Sequence, residues 1–210
     1  MIKVERVDVW GFEHAIRGLR NPMNSWDKSD SDFYISHCDG AGKIERIGEN
    51  DLGLMKRLYK AGTEHRTYAR MIQVSMDITA PLYWWKEMDR YTIGKSQVSC
   101  STMHKIHAKE FEPIDFSIEH LNSESIAVLN VILAGLNVAR DQYLKTKNKD
   151  DWWQMIQLLP SSYNQKRTIC MSYETVFKII KERTGHRLDE WNDFVELLED
   201  LPYITEIIDG

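Results

Sequence analysis

The chain has 210 residues, 42% apolar and 28% charged, with a formal net charge of −5. That composition suits a soluble core of one domain or two small ones, and it excludes bulk attraction to nucleic acid or to an anionic membrane. The three cysteines, Cys38, Cys100 and Cys170, are odd in number and lack CxxC spacing, which argues against a disulfide framework and a zinc ribbon.

In chain order, Val4 to Trp10 alternates as a strand does, and Phe12 to Leu19 fits a short helix. No signal peptide is expected at the start, MIKVERVDVW. Residues 20 to 32 are turn-rich and polar and read as a loop. Asp51 to Lys60 carries Leu52, Leu54, Met55, Leu58 and Tyr59 at helical spacing. From Met71 to Ile78, Ile72, Val74, Met76 and Ile78 alternate with Gln73, Ser75 and Asp77, the pattern of a strand with one buried face. Pro81 suits the first turn of a helix, with Leu82, Trp85 and Met88 on one face. Asn122 or Ser123 caps a long helix to about Lys145, with a wide stripe from Ile126 to Ala139, and Lys145, Lys147 and Lys149 suit its C-terminal end. The longest apolar stretch, Ile126 to Leu136, is broken by Asn130 and is too short to span a bilayer; a cytoplasmic protein is expected. Asp151 to Leu159 reads as a helix stopped at Pro160. Ser172 caps a helix from Tyr173 to Thr184 with Gly185 as its stop, and a last helix covers about Arg187 to Leu198. There is no internal repeat or linker, so one mixed α/β domain over residues 1–210 is the expectation.

The densest polar cluster follows the helix at Leu82: Arg90, Tyr91, Thr92, Lys95, Ser96, Gln97, Ser99, Cys100 and Thr102. Arg and Lys supply charge and donors for a phosphate, Ser, Thr and Gln orient it, and Gly94 permits a turn. A solvated turn leading into a polar strand has the same composition. Cys100, His104 and His107 would share a face only on a helix, and with no fourth ligand in the pattern no metal is expected. Trp84-Trp85 and Trp152-Trp153 are pairs whose members point about 100° apart on a helix, so each can anchor one ring and expose the other. Glu190 and Asp189 read as helix surface charges. P-loop, GxSxG and GxGxxG patterns are absent.

These residues resemble the flavin-dependent thymidylate synthases. That family carries H-x-[ST] before a strand, an Ala-Pro-like helix start, and a signature R-H-R-x-x-S-x-N-x-x-S-x-R. Here His65-Arg66-Thr67, Ala80-Pro81 and the ungapped run Arg90 to Thr102 take those places. Leu159-Pro160, the helix from Ser172 to Arg183 and His186 to Trp191 follow the family's later layout, so the likeness covers most of residues 50–195. Within the signature, Tyr91 replaces His, Thr92 and Thr102 replace Arg, Lys95 and Cys100 replace Ser, and Gln97 replaces Asn. Glu174, Ile156 and Asn192 stand where the family has further arginines.

The resemblance implies an α+β fold, with a central, mostly antiparallel sheet flanked by helices and a long helix near 123–145. It implies FAD as cofactor, framed by His65, Thr67, Arg90, Tyr91, Thr92, Ile93 and Gln97. A pyrimidine nucleotide would be bordered by Glu87, Lys95, Ser99, Cys100 and Thr102. The implied reaction is reductive methylation of a uracil nucleotide, dUMP to dTMP, with methylenetetrahydrofolate giving the carbon and NADPH the hydride, in a homotetramer whose subunit interface builds the site. A flavin- or nucleotide-binding module without turnover, or an enzyme for a different pyrimidine nucleotide, are the alternatives. Without the missing arginines, phosphate affinity would need Lys95, Lys105 or Arg167 as substitutes.

Overall fold

A computed structural model describes residues 2–35 and 42–210; Cys38 lies outside them. Strand β1 (Lys3–Trp10) leads into helix α1 (Phe12–Arg20). Gly11 makes the junction at φ +98°, and a Cβ there would meet the Met71 carbonyl oxygen at 2.2 Å, so only glycine fits. Residues 20–32, expected as loop, contain two short 3₁₀ turns, and β2 (Asp32–Ile35) pairs antiparallel with β3 (Gly42–Arg46), a ribbon the sequence reading did not foresee. Next come α2 (Glu49–Lys60), β4 (Gln73–Pro81), α3 (Leu82–Met88) and β5 (Lys95–Ser99). The second half holds α4 (Ser123–Thr146), α5 (Lys149–Leu158), β6 (Asn164–Ser172), α6 (Tyr173–Arg183), α7 (Asp189–Glu199) and α8 (Ile204–Asp209). Strands β1, β4, β6 and β5 lie in that order in one antiparallel sheet. The expected α/β architecture, an antiparallel sheet with flanking helices and a long helix from 123, is the one observed.

Burial follows the strand period. Along β4, Val74, Met76, Ile78 and Ala80 are buried while Gln73, Ser75, Asp77 and Thr79 are half-buried. Pro81 ends β4 and caps α3 instead of opening it. Both Trp84 and Trp85 are fully buried, so the expectation that one ring of this pair faces water does not hold. Glu190, read as a surface charge, is buried as well.

The described residues form two compact units. The larger comprises 5–77, 91–97 and 169–210, the smaller 78–90 and 98–168 with the first residues of the chain. The core of the larger unit includes Phe12, Met55, Tyr173, Phe177, Trp191 and Phe194. Beneath it, the Asp51 carboxylate is fully buried. It takes two guanidinium nitrogens of Arg20, at 2.8 and 2.7 Å. It also accepts the hydroxyls of Ser29 and Ser31, each at 2.7 Å, and the Asp30 N–H at 3.1 Å. Asp30 in turn accepts the N–H groups of Asn50 and Asp51, satisfying donors at the start of α2 that Gly48 cannot.

In the smaller unit, Phe111, Phe116, Leu129, Leu133, Leu136 and Met155 make the core between α4, α5 and the preceding loop. Asn137 fixes that loop by accepting the Phe111 N–H at 2.8 Å and donating to the Phe111 carbonyl at 3.0 Å. Only one face of α4 is buried. Val128, Val131 and Val138 are 61%, 74% and 70% exposed, leaving an apolar row along the opposite side. No described helix is long and apolar enough to cross a membrane.

Candidate functional site

In the larger unit, the chain from Thr63 to Arg70 turns ahead of β4. His65 and Thr67 are exposed there, and Thr67 Oγ1 donates to the Glu64 carbonyl at 3.3 Å. Arg66 points inward. Its guanidinium lies 5.0 Å from the Tyr59 ring centroid and 5.9 Å from that of Phe177, and its Nε meets Glu174 Oε2 at 2.8 Å. Glu174 is the residue standing where the resemblance places an arginine. Its negative charge is compensated inside the chain, so it presents no bare carboxylate to an anion. Nothing in the local sequence pairs these two residues, which lie 108 positions apart by subtraction of 66 from 174; the pairing is visible only once β4 and α6 are placed.

Tyr91 alone of the expected cofactor-binding set is buried. Its hydroxyl donates to Glu182 Oε2 at 2.9 Å and accepts from Arg183 Nε at 2.9 Å. The Arg183 guanidinium lies over the Tyr91 and Trp191 rings, at 5.6 and 4.5 Å. Burial pushes the Tyr91 hydroxyl above its usual range, against the Arg183 hydrogen bond. The tyrosine holds the chain to α6 and α7 and then releases it into a turn with exposed Thr92 and Ile93.

That turn is clamped to the start of α6. Ser172 N–H donates to the Gly94 carbonyl at 2.9 Å, and Thr175 Oγ1 donates to the Ile93 carbonyl at 2.9 Å. Gly94 sits at φ +69°, and a Cβ there would lie 2.7 Å from Ser172 Oγ. Beyond the turn, Lys95 Nζ donates to Gln97 Oε1 at 3.1 Å on the exposed end strand β5.

In the smaller unit, Arg90 is exposed and Glu87 half-buried; the Arg90 N–H donates to the Glu87 carbonyl at 3.1 Å, closing α3. Ser99 and Cys100 are exposed, and Thr102 is half-buried. Cys100 is held by its backbone: its N–H donates to the Lys166 carbonyl at 2.9 Å and its carbonyl accepts Gln165 Nε2 at 2.7 Å. Arg167, one of the three cations considered as a phosphate substitute, is committed elsewhere. It donates to Asp89 Oδ1 at 2.7 Å and Gln165 Oε1 at 2.9 Å, with its guanidinium 4.2 Å from the Trp85 ring centroid. Ile156 packs against the apolar core. Residues 100 to 105 are not helical, so Cys100, His104 and His107 lack the common helix face their spacing suggested.

No family model matches the chain, and no curated protein matches it by sequence. Solved structures do. Thymidylate synthase X from Helicobacter pylori, crystallised with FAD and dUMP, superposes with a TM-score of 0.70 at 18% identity, covering 100% of this chain and 98% of that one. The chain has the fold of the flavin-dependent thymidylate synthases. A UMP/dUMP methylase, PolB from Streptomyces cacaoi, bound with 5-Br dUMP, gives a TM-score of 0.65 at 14% identity over 100% of this chain and 95% of that one. The likeness of fold therefore includes described residues before position 50, beyond the stretch where the sequence resemblance was legible.

Proposed function

We propose that this protein binds FAD and a uracil nucleotide and carries out the reductive methylation characteristic of this fold, dUMP to dTMP, with methylenetetrahydrofolate and NADPH as the other reactants. The observation that carries the reading is the end-to-end match to two pyrimidine-nucleotide proteins, one of them holding FAD. The residues present fit the cofactor's chemistry in reduced measure. His65 and Thr92, both in the larger unit, expose donors suited to a pyrophosphate, and the Arg66 ion pair removes the repulsion that Glu174 would otherwise exert; Thr67 and Arg90 are assigned to the cofactor as well. When bound, the flavin supplies the redox chemistry; the protein binds, orients and excludes water. Glu87, Lys95, Ser99, Cys100 and Thr102 are assigned to the nucleotide, with Ile93 and Gln97 beside the flavin. Residues 1–210 act as one domain in this reading.

A binding module without turnover is the second reading. The commitment of Tyr91 to Glu182 and Arg183, at the place of the signature histidine, favours it. Absorbance of the purified protein titrated with FAD separates the two. The enzyme reading expects bound FAD whose spectrum responds to dUMP, and Arg90→Ala should weaken flavin retention. FAD uptake without thymidylate formation, assayed with all four reactants, would support the module. No FAD uptake at all would remove the enzyme reading.

The homotetramer is part of the same proposal. Water-facing Val128, Val131 and Val138 on α4 form a row that a second copy of the chain would cover. Val131→Glu with Val138→Glu should lower the mass measured by light scattering to that of smaller species, with the circular dichroism unchanged. An unaltered mass would place the interface elsewhere.

A further inference from the structure

One cleft, of about 310 Å³, lies wholly within the smaller unit. His104, His107, Lys147 and Lys149 give its walls their basic character, and Tyr143 and Trp152 give them flat aromatic surface; Met103 completes the lining. Among the described residues that line it there is no carboxylate. On the adjoining helices, Asp151 accepts the Thr146 hydroxyl at 2.6 Å and Asp141 pairs with Arg140 at 2.8 Å.

The cleft is built rather than incidental. Trp152 Nε1 donates to the Met103 carbonyl at 2.9 Å, tying α5 to the loop after β5. The His107 ring meets Tyr143 edge-on at 4.9 Å, and Arg140 Nε holds the His107 carbonyl at 3.1 Å. Lys147 lies in the left-handed region at φ +56°, which ends α4 and carries its ammonium over the Tyr143 ring at 5.4 Å. Lys149 opens α5, so the two lysines, read from the sequence as the basic end of a single helix, stand on either side of a helix junction. His107 Nδ1 is buried with no hydrogen-bond partner among the described residues. Burial first, and then the charges of Lys147, Lys105 and Arg140, hold His107 below its usual range.

We infer that this cleft takes the phosphate end of the nucleoside monophosphate, between Lys147, Lys149 and His104, leaving the rest of the nucleotide to the residues assigned to it above. The inference rests on the nucleotide half of the reading above and is independent of its flavin half. The lining begins at Met103 and His104, directly after Thr102, the last position of the signature. Cations from the α4–α5 junction would thus do the work of the arginines absent at Thr102, Ile156 and Asn192. A dianion gains charge-assisted bonds from each lysine.

Isothermal titration with dUMP, deoxyuridine and inorganic phosphate tests this on the full chain. The wild type should bind dUMP at least about tenfold more tightly than deoxyuridine or phosphate alone, with affinity falling as salt rises. Lys147→Gln with Lys149→Gln should weaken dUMP about tenfold or more, and the double arginine variant should restore it. FAD uptake, followed by absorbance in the same variants, should not change. Wild-type dUMP affinity in the double glutamine variant overturns the inference and leaves the nucleotide reading standing. Equal affinity for dUMP and deoxyuridine, or for dUMP and phosphate, overturns it as well. Absence of dUMP binding in the wild type removes both the inference and the nucleotide reading, while FAD uptake still reports the flavin half.

Discussion

Asp51→Ala lowers the stability of the folded chain by about 3–5 kcal/mol, the cost of leaving a buried guanidinium without its counter-charge. The magnitude is large because one carboxylate accepts four hydrogen bonds, from Arg20 Nε, the hydroxyls of Ser29 and Ser31 and the Asp30 N–H, and also pairs with a second Arg20 nitrogen. Arg20 is itself only 5% exposed. For a chain of this size the loss corresponds to a fall of roughly 6–20 °C in melting temperature, read by calorimetry. The pH dependence has a definite sign. Burial raises the Asp51 pKa, but the hydrogen bonds from Ser31, Ser29 and Arg20 and the Arg20 charge outweigh it, and the net pKa lies below the ordinary 3.8. A carboxyl depressed on folding contributes stability that is present above its unfolded pKa and lost as pH falls through the folded one. Wild-type stability should therefore drop below about pH 4 more steeply than that of Asp51→Asn. Parallel acid profiles for the two proteins would contradict this account.

Trp85→Ala is the second large loss, at about 3–5 kcal/mol by denaturant unfolding. The ring is fully buried and packs edge-on against Trp84 with centroids 4.8 Å apart. Its Nε1 donates to the Gln165 carbonyl at 2.9 Å, and it forms the platform under Arg167. Truncation leaves a cavity, an orphaned carbonyl on β6 and an unsupported guanidinium. Trp85→Phe keeps most of the ring volume and should recover more than half of the loss. If the alanine variant cost less than about 1 kcal/mol, the tryptophan would be making little of the contact its burial indicates.

The elements that could be read in advance are those whose periodicity is set by one buried face. β4 alternates cleanly, and α2, α6 and α7 carry apolar residues at helical spacing; α6 also has its cap, Ser172, which accepts the Thr175 N–H at 3.4 Å as its position before a helix suggests. β6 escaped notice because its first half, Asn164 to Thr168, is polar, while only Gln165, Ile169, Met171 and Ser172 of the strand are buried. A strand satisfied by polar neighbours such as Trp85 and Cys100 leaves little alternation to detect. The two tryptophans of α3 misled for a different reason. A seven-residue helix enclosed on more than one side buries adjacent positions, whatever the angle between them. At the site, residue types and order were legible through the signature, but pairings were not. Arg66 with Glu174, Tyr91 with Arg183, and Lys147 with Tyr143 and Trp152 arise from chain segments brought together by folding. Composition could flag His104 and His107 only as an unlikely metal pair, and could not place two lysines of a helix junction beside them.

The bridge from Ile93 and Gly94 to the N-terminus of α6 has a thermodynamic consequence. Two main-chain carbonyls are tied to Ser172 and Thr175, which belong to the first turn of a well-buried helix and its cap. Segments that recognise ligands are often disordered until occupied, and their ordering entropy is then charged against affinity. Here the chain has met that cost during folding. A ligand held at Thr92 or Ile93, as proposed above, would meet a turn whose carbonyls are already hydrogen-bonded, with less ordering left to complete at this point of the chain.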